Sequence, residues 1–392
     1  MRSPGWIMAV LEGTRPARLD RERPWRDTES MDRERAVRAF RRQPTDRIPH
    51  CEILSCPDAI QAITGIDPWE RPLSAAREMA RRYALDFWTM PTSDDPIPRL
   101  PDAPAFQEED GRTTVRWGQE RSWHWDWGSR FPDVEACLRY DPLSDLDFRW
   151  MDPVGLDLSA SEDELVRIFQ AEVDRVKEAN AGLALGYHGF YNTLFMWPLL
   201  MFGWENLLEM GALYEAETAR LFRDFAEISR KVFRAWARTD IEVIYSHDDI
   251  CFQRGPVFSP TFYRRHVYPY YEEFWSILKE AGKVVFFVCD GNIDAVVDDV
   301  LAAGADGCLS EVFTNWKEYK RKHPDKVLIG GGDSQVVRTN DKEAIRRMVL
   351  EMTELGKDMP GYFYCCGNHL PWDMPADGVR WYLDFCAEYG AR

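Results

Sequence analysis

The feature that most constrains this chain is a rhythm. Apolar strand-like runs at 182–186, 241–245, 283–289, 305–309, 326–330 and 361–364 alternate with helical patterns at 261–281, 292–303, 341–356 and 376–389. Runs such as KVVFFV and KVLIG are apolar without alternation, as parallel strands covered on both faces require. Repeated strand–helix units in 392 residues predict an α/β fold, a (β/α)8 TIM barrel, since one elaborated barrel uses roughly 250 to over 400 residues. A doubly wound open sheet is the competing arrangement, but no G-x-G-x-x-G fingerprint follows any of the strands.

The rest of the chain is read around that core. Residues 1–30, rich in Arg, Pro and Asp, predict a loose N-terminal arm, and residues 31–392 a single barrel domain with an insertion at about 91–150. Met31 onward reads as a short amphipathic helix leading through Arg47, Ile48 and Pro49 into a first strand. Alternation at 112–127 suggests a β-ribbon near the barrel mouth, whose aromatics would form a lid.

A net charge of −17 disfavours nucleic acid and anionic membrane as partners, because both demand a Lys/Arg excess. Nine cysteines without a signal-like start fit free thiols in a reducing cytoplasm. The uncharged span 181–204 contains Gly186, His188, Gly189, Asn192 and Pro198, and reads as strand, polar loop and buried helix rather than a membrane helix.

A barrel builds its site from the loops that follow the C-terminal ends of its strands. Those ends are polar here: Tyr187-His188, His247-Asp248-Asp249, Cys289-Asp290-Gly291-Asn292, Glu311, Asp333-Ser334-Gln335 and Cys365 to His369. Asp, Asn and Gly after a strand also cap the next helix, which is the preferred reading of Asn292 and Ser334. Cys308 and Cys386 read as small core residues. Carboxylates, thiols and imidazoles from several strands converging on one mouth point to an enzyme.

The segments RERAVRAFRRQPTDRIPH, EVIYSHDDI followed by GPVFSPTFYRRHVYPYY, CDGNIDAVVDDVLAAGADG, LIGGGDSQ and YFYCCGNHLPWDMPADGVRWYLDFCAEYG together resemble the uroporphyrinogen decarboxylase superfamily, in this order and from about Met31 to the C-terminus. The resemblance implies a (β/α)8 barrel and one of two chemistries: cofactor-free decarboxylation of porphyrinogen acetates, or zinc-dependent methyl transfer involving a corrinoid protein. The decarboxylases carry an arginine-rich loop after the first strand, of the type Met-Arg-Gln-Ala-Gly-Arg, where this chain reads CEILSCPDAIQA. That departure disfavours a substrate bearing many carboxylates.

The corrinoid-linked thiol methyltransferases of the superfamily take zinc on His-x-Cys-Gly-Asn and on a later Cys. Matching their Gly-Asn to Gly291-Asn292 puts Val288 at the histidine and Asp290 at the cysteine, with Cys366, or Cys365 after a one-residue shift, as the later thiol. The resemblance therefore implies a zinc set drawn from Cys366, Asp290, Cys289, Glu311 and His247, or a metal-free site. The expectation is an O-demethylase: methyl transfer from a small, aromatic methyl ether to a corrinoid on a partner protein, with His247, Asp249 and Glu311 catalytic. Tyr187, His188, Trp88 and Asp333 would bind substrate, with Trp197 a further wall. A cofactor-free decarboxylase, anchored by Arg254 or Arg338, and a non-catalytic small-molecule-binding homologue are the alternatives.

Overall fold

The computed structural model describes residues 31–88, 91–97, 99, 106–109, 112–116, 122–124, 131–144, 159–367 and 369–392, with the backbone alone for the segments between 106 and 124. The expected arm at 1–30 lies outside the described residues.

Eight strand positions form the sheet, all parallel. They are β1 (His50–Glu52), β2 (Leu85–Trp88), β3 in two halves (Leu185–Gly186 and Gly189–Phe190), β4 (Val243–His247), β5 (Val284–Val288), β6 (Gly307–Leu309), β7 (Val327–Gly331) and β8 (Tyr362–Cys365). Each strand pairs with the next, β8 returns to β1, and β2 pairs with the first half of β3 while β4 pairs with the second. The two ends of the hydrogen-bonded order are thus halves of one strand, two residues apart. The sheet closes into the barrel that the sequence rhythm predicts.

Phe87, Leu185, Tyr187, Val243, Tyr245, Phe286, Val288, Leu309, Ile329, Phe363 and Cys365 fill the interior. Alternate residues such as Ile244, Phe287, Cys308, Leu328 and Tyr364 pack outward under the helices. The inner end is plugged by α1 (Arg33–Phe40), whose Phe40 ring meets Phe363 at 4.5 Å, Phe87 at 4.9 Å and Phe286 at 5.5 Å. Arg35 fixes the plug by donating to Asp86 Oδ1 at 2.7 Å and Asp46 Oδ1 at 2.8 Å. Asp86 is the extra residue where β2 slips against β1.

Two helical expectations are corrected in detail. The pattern at 261–281 is two helices, Pro260–His266 and Tyr268–Glu280, because Pro269 has no N–H to continue the first. The pattern at 292–303 shortens to Val297–Ala302, since Asn292 Oδ1 accepts from Asp294 N at 2.9 Å and turns the chain first. After β2 the backbone forms an antiparallel ribbon of Phe106–Glu109, Arg112–Arg116 and Ser122–His124; its side chains, on which a lid would rest, lie outside the described residues. Among the described residues no helix is long and apolar enough to cross a membrane.

Candidate active site at the barrel mouth

Strand parity decides which polar residues reach the mouth. In β4 the interior residues Val243 and Tyr245 continue to His247 and Asp249, and in β5 Phe286 and Val288 continue to Asp290. Leu309 in β6 leads likewise to Glu311, and Leu185 and Tyr187 in β3 lead to Tyr191. The contacts bear this out.

His247, 5% exposed, donates from Nδ1 to the carbonyl of Tyr191 at 2.9 Å, and the Tyr191 ring stacks on the imidazole at 4.0 Å. This leaves Nε2 facing Asp249 Oδ1 at 3.3 Å. Asp249 Oδ1 also accepts the Asp290 N–H at 3.0 Å. Burial alone would lower the His247 pKa, but the Asp249 carboxylate, the charge of Asp290 and the Tyr191 carbonyl together raise it to about 9. Burial works the other way on Asp249, where the His247 charge and hydrogen bond prevail and hold the carboxyl below its usual range. The two form a charged pair at neutral pH.

A pH dependence follows. Folded His247 binds its proton more tightly than the unfolded side chain, so its stabilising contribution is complete below about pH 6.5 and is lost as pH rises through about 9. Thermal stability relative to Asp249→Asn is expected to decline between pH 7 and 9.5. Melting curves of both proteins across that range check it.

Glu311 is the second acid. Its Oε2 accepts the Gly291 N–H at 2.7 Å. Burial, with the nearby charges of Asp249 and Asp333, raises its pKa against the pull of that N–H, so the carboxyl keeps its proton to higher pH than usual. Gly291 itself sits at φ +84°, and a Cβ there would lie 2.4 Å from the Phe252 backbone. The turn carrying Asp290 is thereby pressed against the hairpin Cys251–Phe252/Gly255–Pro256. Gly291→Ala is expected to destabilise the fold by about 2 to 4 kcal/mol, measurable by urea denaturation.

Tyr187 stacks on Tyr245 at 4.7 Å inside the barrel. Burial and the nearby Tyr245, Cys51, Cys365 and Asp290 groups push its hydroxyl well above the ordinary tyrosine range, so Tyr187 stays neutral. It joins an aromatic and thiol wall to the carboxylate side of the mouth.

Other expected site residues sit elsewhere. His188 faces outward, its Nδ1 3.7 Å from Glu172 on the covering helix Glu162–Ala179. Trp88 and Trp197 pack in the outer core, with Trp197 Nε1 donating to Ser229 Oγ at 2.9 Å. Asp333 caps the helix Ser334–Arg338 through Gln335 N at 2.8 Å, so it, and not Ser334, is the cap; its charge still reaches Glu311. Arg338 is bound to Asp373 at 2.5 Å, and Arg254 is exposed on the hairpin turn.

The expected zinc set is not brought together. Cys289 is turned outward, its thiol donating to the Asp290 carbonyl at 3.2 Å and hydrogen-bonded to Cys251. Cys366 is likewise in the outer core, its N–H 3.3 Å from Glu52 Oε2, which also accepts from Tyr382 at 2.8 Å. Among the described residues no three His, Cys, Asp or Glu side chains form a group that could hold a metal ion.

Sequence reasoning alone does not single out Tyr191, which orients His247, or the inward thiol Cys51, and it places Cys365 only as the one-residue alternative to Cys366. Tyr191 lies four residues beyond Tyr187 on the same face, which is the signal that marks it.

A closed parallel barrel with buried, mutually perturbed acid and imidazole groups at its C-terminal mouth has the anatomy of a barrel enzyme. The family model described as "Uroporphyrinogen decarboxylase (URO-D)" matches residues 164–389, more than half of the chain. The chain belongs to that family. Among solved structures, a methyltransferase from Methanosarcina mazei superposes with a TM-score of 0.58 at 14% identity, covering 91% of this chain and 98% of that one. A D-psicose 3-epimerase matches at a TM-score of 0.35 and 10% identity, covering 68% and 93%. At these identities the likeness to the methyltransferase is one of fold. Comparison with curated proteins returns no match.

Proposed function

We propose that this chain is a methyltransferase, moving the methyl group of a small aromatic methyl ether to a corrinoid carried by a partner protein. The observation that carries the reading is Glu311. It is a carboxyl that burial and the charges of Asp249 and Asp333 make hold its proton to higher pH than usual, placed by its bond to Gly291 N at a mouth that also holds the neutral phenol Tyr187.

An ether methyl is a poor electrophile at neutral pH, because the departing alkoxide or phenoxide is basic. Cobalt(I) of the corrinoid would supply the nucleophile. The protein's share is the leaving group: a proton passes from Glu311 to the ether oxygen as the carbon–oxygen bond breaks, so that a neutral phenol departs. His247, held by Tyr191 and paired with Asp249, keeps one cation beside Asp249 and Asp290. Mouth carboxylates disfavour a substrate bearing many carboxylates of its own, which weighs against porphyrinogen decarboxylation.

The test supplies purified protein with a methyl aryl ether and a reduced corrinoid and follows phenol release by chromatography. Stoichiometric phenol that depends on the corrinoid is expected. Release of carbon dioxide from an aryl or porphyrinogen carboxylate, with no phenol from any ether, would overturn the proposal.

As part of the same proposal, Asp249→Asn is expected to lower the rate about 10- to 100-fold, since it removes the partner that holds His247 charged and in place. It should also move the His247 titration downward, as read by imidazole NMR shifts.

A further inference from the structure

We infer that the zinc of the thiol-type relatives is not reproduced in this barrel, and that the mouth works without a resident zinc ion. The inference rests on strand parity. A zinc ion needs several donors converging on one point at about 2.0 to 2.3 Å. Cys289 and Cys366 lie on the outer face of the barrel wall, and the inner-face residues Asp290, Glu311, His247 and Cys365 form no group of three that could hold a metal ion among the described residues.

In β5 the interior residues are Phe286 and Val288, so Cys289 falls on the outer face with Cys251. In β8 the interior residues are Phe363 and Cys365, so Cys366 falls on the outer face. Turning either thiol inward would require a one-residue slip of its strand, which would drive Phe286 or Phe363 out of the barrel and away from the Phe40 plug. The histidine position of the relatives is occupied by Val288, a residue of the interior. The thiols that do face inward, Cys51 and Cys365, hydrogen-bond one another. The carboxylates are already engaged: Glu311 with Gly291 N, and Asp249 with His247 and Asp290 N.

The consequence for chemistry rests on the methyl-transfer reading: activation of the leaving group falls to proton donors. The metal question is decided independently of it. Protein expressed in zinc-supplemented medium and purified without chelator is analysed for bound metal by mass spectrometry, then titrated with zinc while its melting temperature is followed. Less than about one tenth of an equivalent of zinc is expected, with no saturable shift at low micromolar zinc. The same zinc content is expected in Cys366→Ala.

One tightly held zinc per chain would overturn the inference, whether Cys365→Ser or Asp290→Asn released it or not. Neither result needs a substrate, so an absence of methyl transfer would sink the functional proposal and leave the zinc-free mouth standing. Where transfer is observed, a dipicolinate wash should change its rate less than about twofold. A rate lost on chelation and restored by zinc would overturn the inference as well.

Discussion

Glu311→Gln is expected to lower methyl transfer by about 100- to 1,000-fold while leaving the melting temperature close to that of the parent. Glutamine keeps the size of the side chain, and its amide oxygen still accepts the Gly291 N–H that Oε2 accepts at 2.7 Å. It carries no transferable proton. In the parent protein the acid form of Glu311 is the active one, so the rate should fall as pH rises through its pKa. Burial and the charges of Asp249 and Asp333 raise that pKa, which moves the limb toward neutrality. In Glu311→Gln this limb should disappear. A parent-like rate, or a basic limb that persists unchanged, would assign the proton to another group.

Asp248→Ala is expected to have the largest effect on stability, about 4 kcal/mol, although Asp248 adjoins His247 and Asp249. Its side chain is fully buried on the outer face of β4 and accepts four hydrogen bonds. They come from Leu194 N at 2.8 Å, Phe195 N at 2.9 Å, Met196 N at 2.8 Å and Tyr271 OH at 2.7 Å. These bonds fasten the start of the helix Met196–Leu213 to the barrel. Removing the acceptor leaves four donors buried without it, which is far costlier than losing one exposed bond. Urea unfolding followed by circular dichroism reads the effect. Asp249→Asn, one residue later but on the inner face, is expected to cost less stability than Asp248→Ala, only the His247 pairing that is lost as pH rises, and to act chiefly on His247 and on rate. Equal destabilisation by the two substitutions would contradict the parity assignment.

That contrast shows where sequence reading succeeds and where it stops. Element type is legible because Val284–Val288 and Val327–Gly331 are apolar throughout and the helices between them are amphipathic. The same property hides orientation. A parallel barrel strand is buried on both faces, so VVFFV carries no period of two to show which residues look inward. Tyr187 packs inside the barrel, whereas His188 and Trp88 fall on the other side of the wall, as do Cys289 and Cys366. One anchored residue per strand settles the register: once Tyr245 is known to face in, His247 and Asp249 follow and Asp248 does not. β3 also reads short in the sequence, because its two halves are interrupted at Tyr187 and His188 and complete the barrel only by pairing with different neighbours.

The most direct measurement is a single turnover with an aryl ether labelled with carbon-13 in its methyl group, reduced corrinoid and purified protein, with the label followed by NMR. The labelled methyl is expected to move from oxygen to cobalt in a step accelerated by this protein. The step should be slowed about 100-fold or more in Glu311→Gln and left unaffected by chelator. Label that stays on the ether, across a panel of aryl ethers and at corrinoid concentrations well above that of the protein, would contradict it.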